Sequence, residues 1–104
     1  MQRVAFKMKL FPGREAEYKQ RHDDIWPELV ELLAAFGIRD YSIWHDPETD
    51  ILFGTHLKTD KNRLDELFEQ PVMKKWFVMQ TDIMDTNPDK TPVQIPLVNV
   101  FQMD

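Results

Sequence analysis

The longest periodic stretch of the chain, residues 14–36, has the pattern of an amphipathic helix that a proline interrupts. Spacings of three and four residues predict one buried stripe, formed by Ile25, Leu29, Leu32, Leu33 and Phe36. Pro27 cannot donate a backbone hydrogen bond and disfavours helical geometry in the residue before it. We therefore expect two helical pieces, the second with Pro27 in its first turn. Asp23 or Asp24 would cap its start, and Gly37 would end it.

The same stripe, extended towards the N-terminus, passes through His22 and Tyr18. Their polar heads then point the same way as core residues, so each needs a hydrogen-bond partner or lines a cavity for a ligand. Imidazole titrates near neutrality, which suits an acid or base in catalysis. The alternative is a buried histidine held by a hydrogen bond. The helix break predicts that His22 lies at a helix end, where it can be directed at a ligand.

The remaining sequence predicts strands and shorter helices. Alternating apolar residues predict strands over 3–10, 38–45, 51–58 and 97–103, with a hairpin loop at 46–50. Helical spacing predicts a short helix over 60–69. A further helix begins at Pro71, and its apolar stripe is Val72, Trp76, Met79 and Ile83. Residues 85–96 contain three prolines and are predicted to form a surface loop.

This order of elements is typical of an α+β fold, the ferredoxin-like antiparallel sheet with helices packed on one face. The strands look apolar on both faces; in the third, for example, Ile51 and Phe53 alternate with Leu52. Helices cover only one face, whereas an antiparallel sheet with one wet face should alternate apolar and polar residues. We therefore expect a second copy to cover the other face, as a symmetric homodimer of the dimeric α+β barrel kind.

Length and charge limit the class of protein. The 104 residues suit a single domain, 1–104, and the net charge of −5 argues against nucleic acid or an anionic membrane as partner. No apolar run approaches the ~20 residues of a membrane span, and no signal peptide is recognisable, so we expect a cytoplasmic protein. The absence of cysteine excludes disulfides, thiolate metal sites and cysteine nucleophiles.

Other candidate sites have simpler explanations. His22, His45 and His56 do not have the spacing of metal ligands, so no metal is expected, and the latter two are predicted to be solvated or rim residues near strand ends. The neighbouring carboxylates Asp23 and Asp24 are better explained as caps than as an acid–base pair. No phosphate loop, dinucleotide fingerprint or serine nucleophile motif is present, so no cofactor is expected.

Several aromatic residues can be either core or ligand-binding residues. Trp26, Trp76 and Phe77 fit a core, but an aromatic ring also stacks well on the C–H face of a sugar. Tyr41 is either a core residue with a satisfied hydroxyl or a hydrogen-bonding group in a pocket. Spacing alone does not decide between these interpretations.

One block of sequence is more specific than these patterns. Arg21-His22 followed by Ile25-Trp26-Pro27-Glu28-Leu29 closely resembles the L-rhamnose mutarotase family. The resemblance covers essentially the whole chain, and its other residues are Arg3, Ala5-Phe6, Tyr18, Tyr41, Trp76, Thr81-Asp82, Met84 and Asn87-Pro88-Asp89. It implies a cytoplasmic homodimer with a ferredoxin-like protomer that interconverts the α and β anomers of L-rhamnose without metal or cofactor.

The resemblance also implies roles for individual residues. His22 would be the proton donor, and Tyr18, Tyr41 and Trp76 would contact the sugar. Position 77 can be a second tryptophan in this family; Phe77 keeps a stacking face but lacks the indole N–H. The second proton acceptor stays open between a carboxylate, Tyr41 and water.

Two other functions stay open on the sequence alone. One is a related dimeric α+β-barrel enzyme acting on another 6-deoxy sugar or small molecule. The other is a non-catalytic module that binds a small ligand. A regulator of this architecture would be expected to carry a DNA-binding domain, for which 104 residues leave no room.

Overall fold

Four strands and four helices make up the fold of residues 1–103, which a computed structural model describes. In chain order they are β1 (Gln2–Lys9), α1 (Glu15–Asp23), α2 (Pro27–Ala35), β2 (Ile38–Asp46), β3 (Ile51–Lys58), α3 (Leu64–Leu67), α4 (Pro71–Gln80) and β4 (Ile95–Pro96). The strands form one antiparallel sheet in the order β2-β3-β1-β4. The predicted ferredoxin-like α+β arrangement is therefore confirmed. No helix among these residues is long and apolar enough to cross a membrane.

The predicted break between the first two helices is confirmed, but the predicted cap is wrong. Pro27 opens α2, where its missing N–H leaves no hydrogen bond unmade. The N-cap of α2 is Trp26, and it makes no side-chain capping bond. Asp23 is the last residue of α1 and Asp24 its C-cap, and each binds a side chain one turn earlier instead. Gly37, with φ of +104°, follows α2 as predicted.

Both helices of the second half are shorter than predicted. The side chain of Asn62 donates to the carbonyl of Thr59 (2.8 Å) and accepts from the amide of Leu64 (3.3 Å). These bonds hold residues 59–63 in a turn and delay the start of α3. α4 ends at Gln80, so Ile83 is fully buried but lies beyond the helix and does not extend its stripe.

The prediction of a last strand over 97–103 is wrong. The fourth strand is only Ile95–Pro96, inside the expected loop, and it pairs with Phe6 and Lys7 of β1. One further bond joins the amide of Leu97 to β1 (3.0 Å). Beyond it the apolar side chains of residues 98–103 are exposed. The alternation of apolar residues indicates that one side of this segment packs against other apolar groups. A single copy of this chain provides no such groups for residues 98–103.

The buried core consists of two clusters, and a cavity adjoins both. One cluster is built on β1 and β3 and comprises Phe6, Met8, Leu10, Tyr18, Leu52, Ile83 and Met84. The other is built on α2 and α4 and comprises Leu29, Phe36, Ile38, Leu67, Met73, Trp76 and Phe77. Members of both line a cavity of about 1120 Å³. This is the concave space in which the predicted site residues meet.

Candidate active site

His22 and Tyr18 lie one turn apart in α1 and both line the cavity. Their rings stack with centroids 4.3 Å apart and planes 29° apart. Nδ1 of His22 lies 3.0 Å from the backbone oxygen of Tyr18. Because a carbonyl only accepts, Nδ1 carries the proton and Nε2 is left for a ligand. The sequence placed both heads on the core side of the helix, and the structure places them there.

Trp76 of α4 completes this side of the cavity. Its ring meets His22 edge-on, with centroids 5.2 Å apart and planes 84° apart, and it meets Trp26 with the same geometry. Trp76 is 6% exposed and belongs to the core cluster of α2 and α4. It is thus both a core residue and a wall of the cavity. We call Tyr18, His22 and Trp76 the helix wall.

Ion pairs fasten α1 to the segment after α4. Tyr18 is the one buried residue of α1, so apolar packing alone holds this helix weakly. Arg21 binds both carboxylate oxygens of Asp82 (3.0 and 3.1 Å), the carbonyl of Met79, and Glu17 in its own helix. The hydrogen bond from Arg21 lowers the pKa of Asp82 below its usual value. This link fixes the residue before His22 relative to the helix that carries Trp76.

A bulge in the edge strand β2 directs Tyr41 into the cavity. Arg39 pairs with Leu57 and Ser42 with Thr55, so β2 has one residue more than β3 in this interval, and Asp40 has φ of +49°. The extra residue reverses the parity of the strand. Residues 41, 43 and 45 therefore share the inner face with residue 38, which strict alternation would not allow.

His56 was predicted to be a solvated or rim residue, and that prediction is wrong. It lies on β3, an interior strand, is 5% exposed and lines the cavity. Its ring lies 5.3 Å from that of Tyr41. A signal was present in the sequence: His56 is four residues after the buried Leu52, so both side chains point to the same face of the strand. We call Tyr41 and His56 the sheet wall.

Phe6 supports the sheet wall from below. A Cβ atom added at Gly54 would lie 2.4 Å from Cζ of Phe6, so the ring occupies the space that a side chain at position 54 would need. From there it meets Tyr41 and His56, each with a centroid distance of 6.3 Å. The absence of a side chain at Gly54 thus allows three rings to meet at the floor of the cavity.

Burial keeps both cavity histidines neutral near pH 7. It lowers the pKa of His22, and a hydrogen bond to a backbone oxygen and the nearby Asp23 oppose the shift. It also lowers the pKa of His56, where the positive charges of Lys58 and Arg3 add to the effect. The two imidazoles therefore sit in opposite local fields: a negative charge lies near one and positive charges lie near the other.

The two phenols stay protonated across the neutral range. Burial raises the pKa of Tyr18, and the nearby Tyr41 raises it further. Burial also raises the pKa of Tyr41, although 37% of the residue's surface is exposed at the sheet edge, because its ring lies among other rings. Tyr18 on the helix wall and Tyr41 on the sheet wall thus both offer a hydroxyl hydrogen to the cavity that they line.

Two buried residues of α4 also line the cavity. Phe77 is 6% exposed and packs edge-on against Phe68 (4.9 Å). Gln80 is 3% exposed, and within residues 1–103 neither amide atom has a hydrogen-bond partner. Gln80 was not predicted as a site residue, although it lies one turn after Trp76.

No cluster of three or more His, Asp or Glu side chains that could hold a metal is found in residues 1–103. His45, which lies near the end of β2, pairs with Asp50 (3.1 Å).

Comparison with known proteins assigns the family. The model of the L-rhamnose mutarotase family matches residues 3–103. An L-rhamnose mutarotase of Agrobacterium fabrum is 53% identical over 99% of this chain and 96% of its own length. One from Rhizobium etli is 56% identical over 95% of this chain and 93% of its own length. This chain belongs to the L-rhamnose mutarotase family.

Solved structures agree with that family. The crystal structure of an L-rhamnose mutarotase from Formosa agariphila matches all of this chain and all of its own, with a TM-score of 0.92 and 44% identity. A Mycobacterium tuberculosis protein matches 98% of the chain and 97% of its own with a TM-score of 0.61 at 15% identity, which shows a shared fold alone. The α+β fold of the mutarotase family thus also occurs in other proteins.

Proposed function

We propose that this protein interconverts the α and β anomers of L-rhamnose. Family membership and the names of its relatives support the choice of sugar. The observation that carries the chemistry is His22, which stands in a cavity with its Nε2 left for a ligand and with Tyr18 and Trp76 around its ring. A titratable group held in this way beside aromatic surfaces suits proton transfer to a small polar ring compound.

The reaction needs two proton transfers and no covalent intermediate. His22 in its protonated form gives the Nε2 proton to the ring oxygen, and the C1–O bond to that oxygen breaks. A proton leaves the anomeric hydroxyl, so that C1 becomes the carbonyl of the open chain. The raised pKa of Tyr41 makes its phenol a donor, so the acceptor is water or a carboxylate such as Asp23, which also lines the cavity. Closure on the other face of the carbonyl reverses both transfers.

Binding residues hold the sugar during these steps. The hydroxyls of Tyr18 and Tyr41 donate hydrogen bonds to sugar oxygens, and Trp76 offers an apolar surface to its C–H face. Phe77 contributes apolar wall beside Trp76, without the N–H that a tryptophan would add. No metal or cofactor takes part in this proposal; this stays a prediction, as do the single domain, the cytoplasmic location and the absence of a nucleic-acid partner.

Exchange NMR between the two anomers tests the proposal directly. Saturation of the α anomeric proton should spread to the β signal faster when the protein is present, and L-rhamnose should respond more than L-fucose or L-mannose. A sugar that binds, as seen by line broadening, without faster exchange would identify a binding module. Faster exchange of another 6-deoxy sugar alone would identify a related enzyme and contradict the choice of L-rhamnose.

We also propose that the protein is a homodimer that buries the outer face of the sheet. On that face Trp44 is 69% exposed and pairs across the strands with Phe53, which is 38% exposed. Leu97 adds apolar surface at the far edge, and residues 98–103 extend it. Lys7 of β1 pairs with Phe53 and shares this face, so the apolar surface is interrupted there, but exposed apolar side chains of this size are typical of an interface. A second copy supplies the same surface by symmetry, which makes it a self-complementary partner.

Sedimentation at micromolar protein tests the dimer. We expect twice the chain mass of 12.4 kDa for the wild type. Trp44→Lys should give the monomer, because a charge would be buried without a partner in the interface. Val78→Lys, which changes an exposed valine on α4, is the matched control and should leave the mass unchanged. A wild-type protein that sediments only at the mass of one chain would rule the dimer out.

A further inference from the structure

We propose that His56 is a substrate-binding residue that accepts a hydrogen bond from a sugar hydroxyl through Nε2, on the sheet wall of the cavity that His22 also lines. The inference rests on the proposed function and extends it to a residue that is not among those on which the sequence resemblance was recognised. It adds a polar contact on the sheet wall, where Tyr41 is the one other hydrogen-bonding side chain assigned so far.

The hydrogen bonding of His56 fixes which nitrogen faces the ligand. Nδ1 lies 3.2 Å from the backbone oxygen of Leu57, so it carries the proton and donates it there. No group within residues 1–103 hydrogen bonds to Nε2. Nε2 is therefore not fully buried: an unpaired atom sealed from solvent would be one of the buried polar atoms without a partner, and Nε2 is not one of them. In a residue that is 95% buried and lines the cavity, this unpaired atom faces the cavity.

Neighbouring rings hold the imidazole in this orientation. Phe6 meets its edge at 6.3 Å and Tyr41 lies at 5.3 Å, tilted by 43°. The backbone of His56 is fixed in the interior strand β3, where it pairs with Val4 of β1. A ring confined in this way loses little entropy when it binds a ligand, which favours recognition of one particular hydroxyl.

The charges around His56 favour a hydrogen-bond acceptor over a proton acceptor. If Nε2 took a full proton, the imidazolium would stand near the positive charges of Lys58 and Arg3, which oppose the stabilising hydrogen bond to the carbonyl of Leu57. His22 differs, because the carboxylate of Asp23 stabilises its imidazolium. A neutral Nε2 lone pair needs no such compensation, and it can accept a hydrogen bond from any sugar hydroxyl.

The test pairs His56→Leu with deoxy sugars in the exchange assay. His56→Leu should raise KM for L-rhamnose about 2- to 13-fold, the effect of one neutral hydrogen bond, with kcat nearly unchanged. One monodeoxy analogue of L-rhamnose should be insensitive to the substitution, because it already lacks the hydroxyl that His56 binds. His56→Gln, whose amide oxygen can accept the same bond, should restore part of the affinity. Thermal melting checks that each variant folds.

The remaining outcomes separate this proposal from the proposed function. Unchanged KM for His56→Leu, or an equal loss with every deoxy analogue, would overturn it while leaving the mutarotase activity intact. A fall in kcat of about 10²–10⁴-fold at constant KM would also overturn it, because it would make His56 an acid or base. If His56→Leu does not fold, the comparison with His56→Gln decides: full loss of affinity in that folded variant contradicts an accepting role. A wild-type protein that neither binds nor exchanges L-rhamnose overturns both proposals together.

Discussion

The helix wall and the sheet wall of the cavity carry the same pair of side chains, one histidine and one tyrosine, in different settings. On the helix wall the two rings come from adjacent turns of one helix and stack at 4.3 Å. On the sheet wall they come from two strands, and a bulge brings Tyr41 to within 5.3 Å of His56. The local charges also differ, since Asp23 lies near His22 whereas Lys58 and Arg3 lie near His56. Similar side chains are thereby suited to different tasks, proton transfer on one wall and binding on the other.

Replacing His22 should have the largest effect on anomer exchange. A small effect would contradict the assignment of proton transfer to the helix wall. His22→Gln keeps a hydrogen-bonding head but removes the titration, so anomer exchange should fall about 10²–10⁴-fold, far more than for His56→Leu. In the wild type, exchange should increase as the pH falls towards the lowered pKa of His22, because the proton donor is the imidazolium. Exchange NMR at several pH values measures both effects.

Lys75→Gln is the control for this substitution, because Lys75 is exposed on α4 and away from the cavity. It should leave exchange unchanged. A His22→Gln protein that folds, binds L-rhamnose and exchanges its anomers at the wild-type rate would show that the helix wall is not the proton-transfer wall.

Trp76 tests whether the helix wall is also a part of the core. Trp76→Ala should lower the free energy of unfolding by about 3–5 kcal/mol, since the ring is 6% exposed and packs against His22 and Trp26. Trp76→Phe keeps an aromatic surface and should recover most of the stability. Denaturant unfolding measures the free energy of unfolding, and a sugar titration measures the affinity for L-rhamnose. Unchanged affinity in the folded fraction of both variants would make Trp76 purely structural.

The helix wall could be predicted from the sequence because its geometry is local. A helical period sets the direction of every side chain once the helix is recognised, so His22 and Tyr18 were placed on the core side correctly. Pro27 also gave the break that leaves His22 near a helix end. The position of α1 against α4 was not predictable, since it depends on Arg21 reaching Asp82, 61 residues later.

The sheet wall was only partly predictable because strands depend on partners that are distant in sequence. Tyr41 was assigned to an inward face without any sign of the bulge that puts it there. His56 was misjudged because whether its strand is an edge or an interior strand depends on the order β2-β3-β1-β4. The same limit applies at the C-terminus, where residues 97–103 alternate like a strand but have no strand to pair with in one copy of the chain.

Gly54→Ala is expected to disturb the sheet wall with a smaller effect on stability. The new Cβ would lie 2.4 Å from the ring of Phe6, which would have to move towards Tyr41 and His56. Overpacking of this kind destabilises a protein by about 1–3 kcal/mol. KM for L-rhamnose should rise as the two polar rings shift. Denaturant unfolding measures the loss of stability, and exchange NMR measures the change in KM.

The double variant Phe6→Leu/Gly54→Ala is the control, because the smaller side chain makes room for the added methyl group. It should recover stability but not affinity, since the support for Tyr41 and His56 is lost in both proteins. Recovery of affinity along with stability would mean that Phe6 does not position the sheet wall.

The smallest effect should come from the ion pair that fastens α1, and it should depend on pH. The pKa of Asp82 is lowered in the folded protein by Arg21, so this carboxylate stabilises the fold above its ordinary pKa of 3.8, and the contribution is lost as pH falls through the lowered value. Asp82 is 58% exposed, so Asp82→Asn should cost under ~1 kcal/mol at pH 7. The difference from wild type should shrink below pH ~4.

Glu66→Gln provides the matched control, because Glu66 forms a similar exposed pair with Arg63 (2.8 Å) on α3, and its pKa is lowered for the same reason. Both variants should lose a similar small amount of stability with the same pH dependence in thermal melts. Only Asp82→Asn should slow anomer exchange, because only that pair fixes α1, and with it His22, against the helix that carries Trp76. Equal exchange rates in the two variants would mean that apolar packing of Tyr18, without the ion pairs, suffices to position the helix wall.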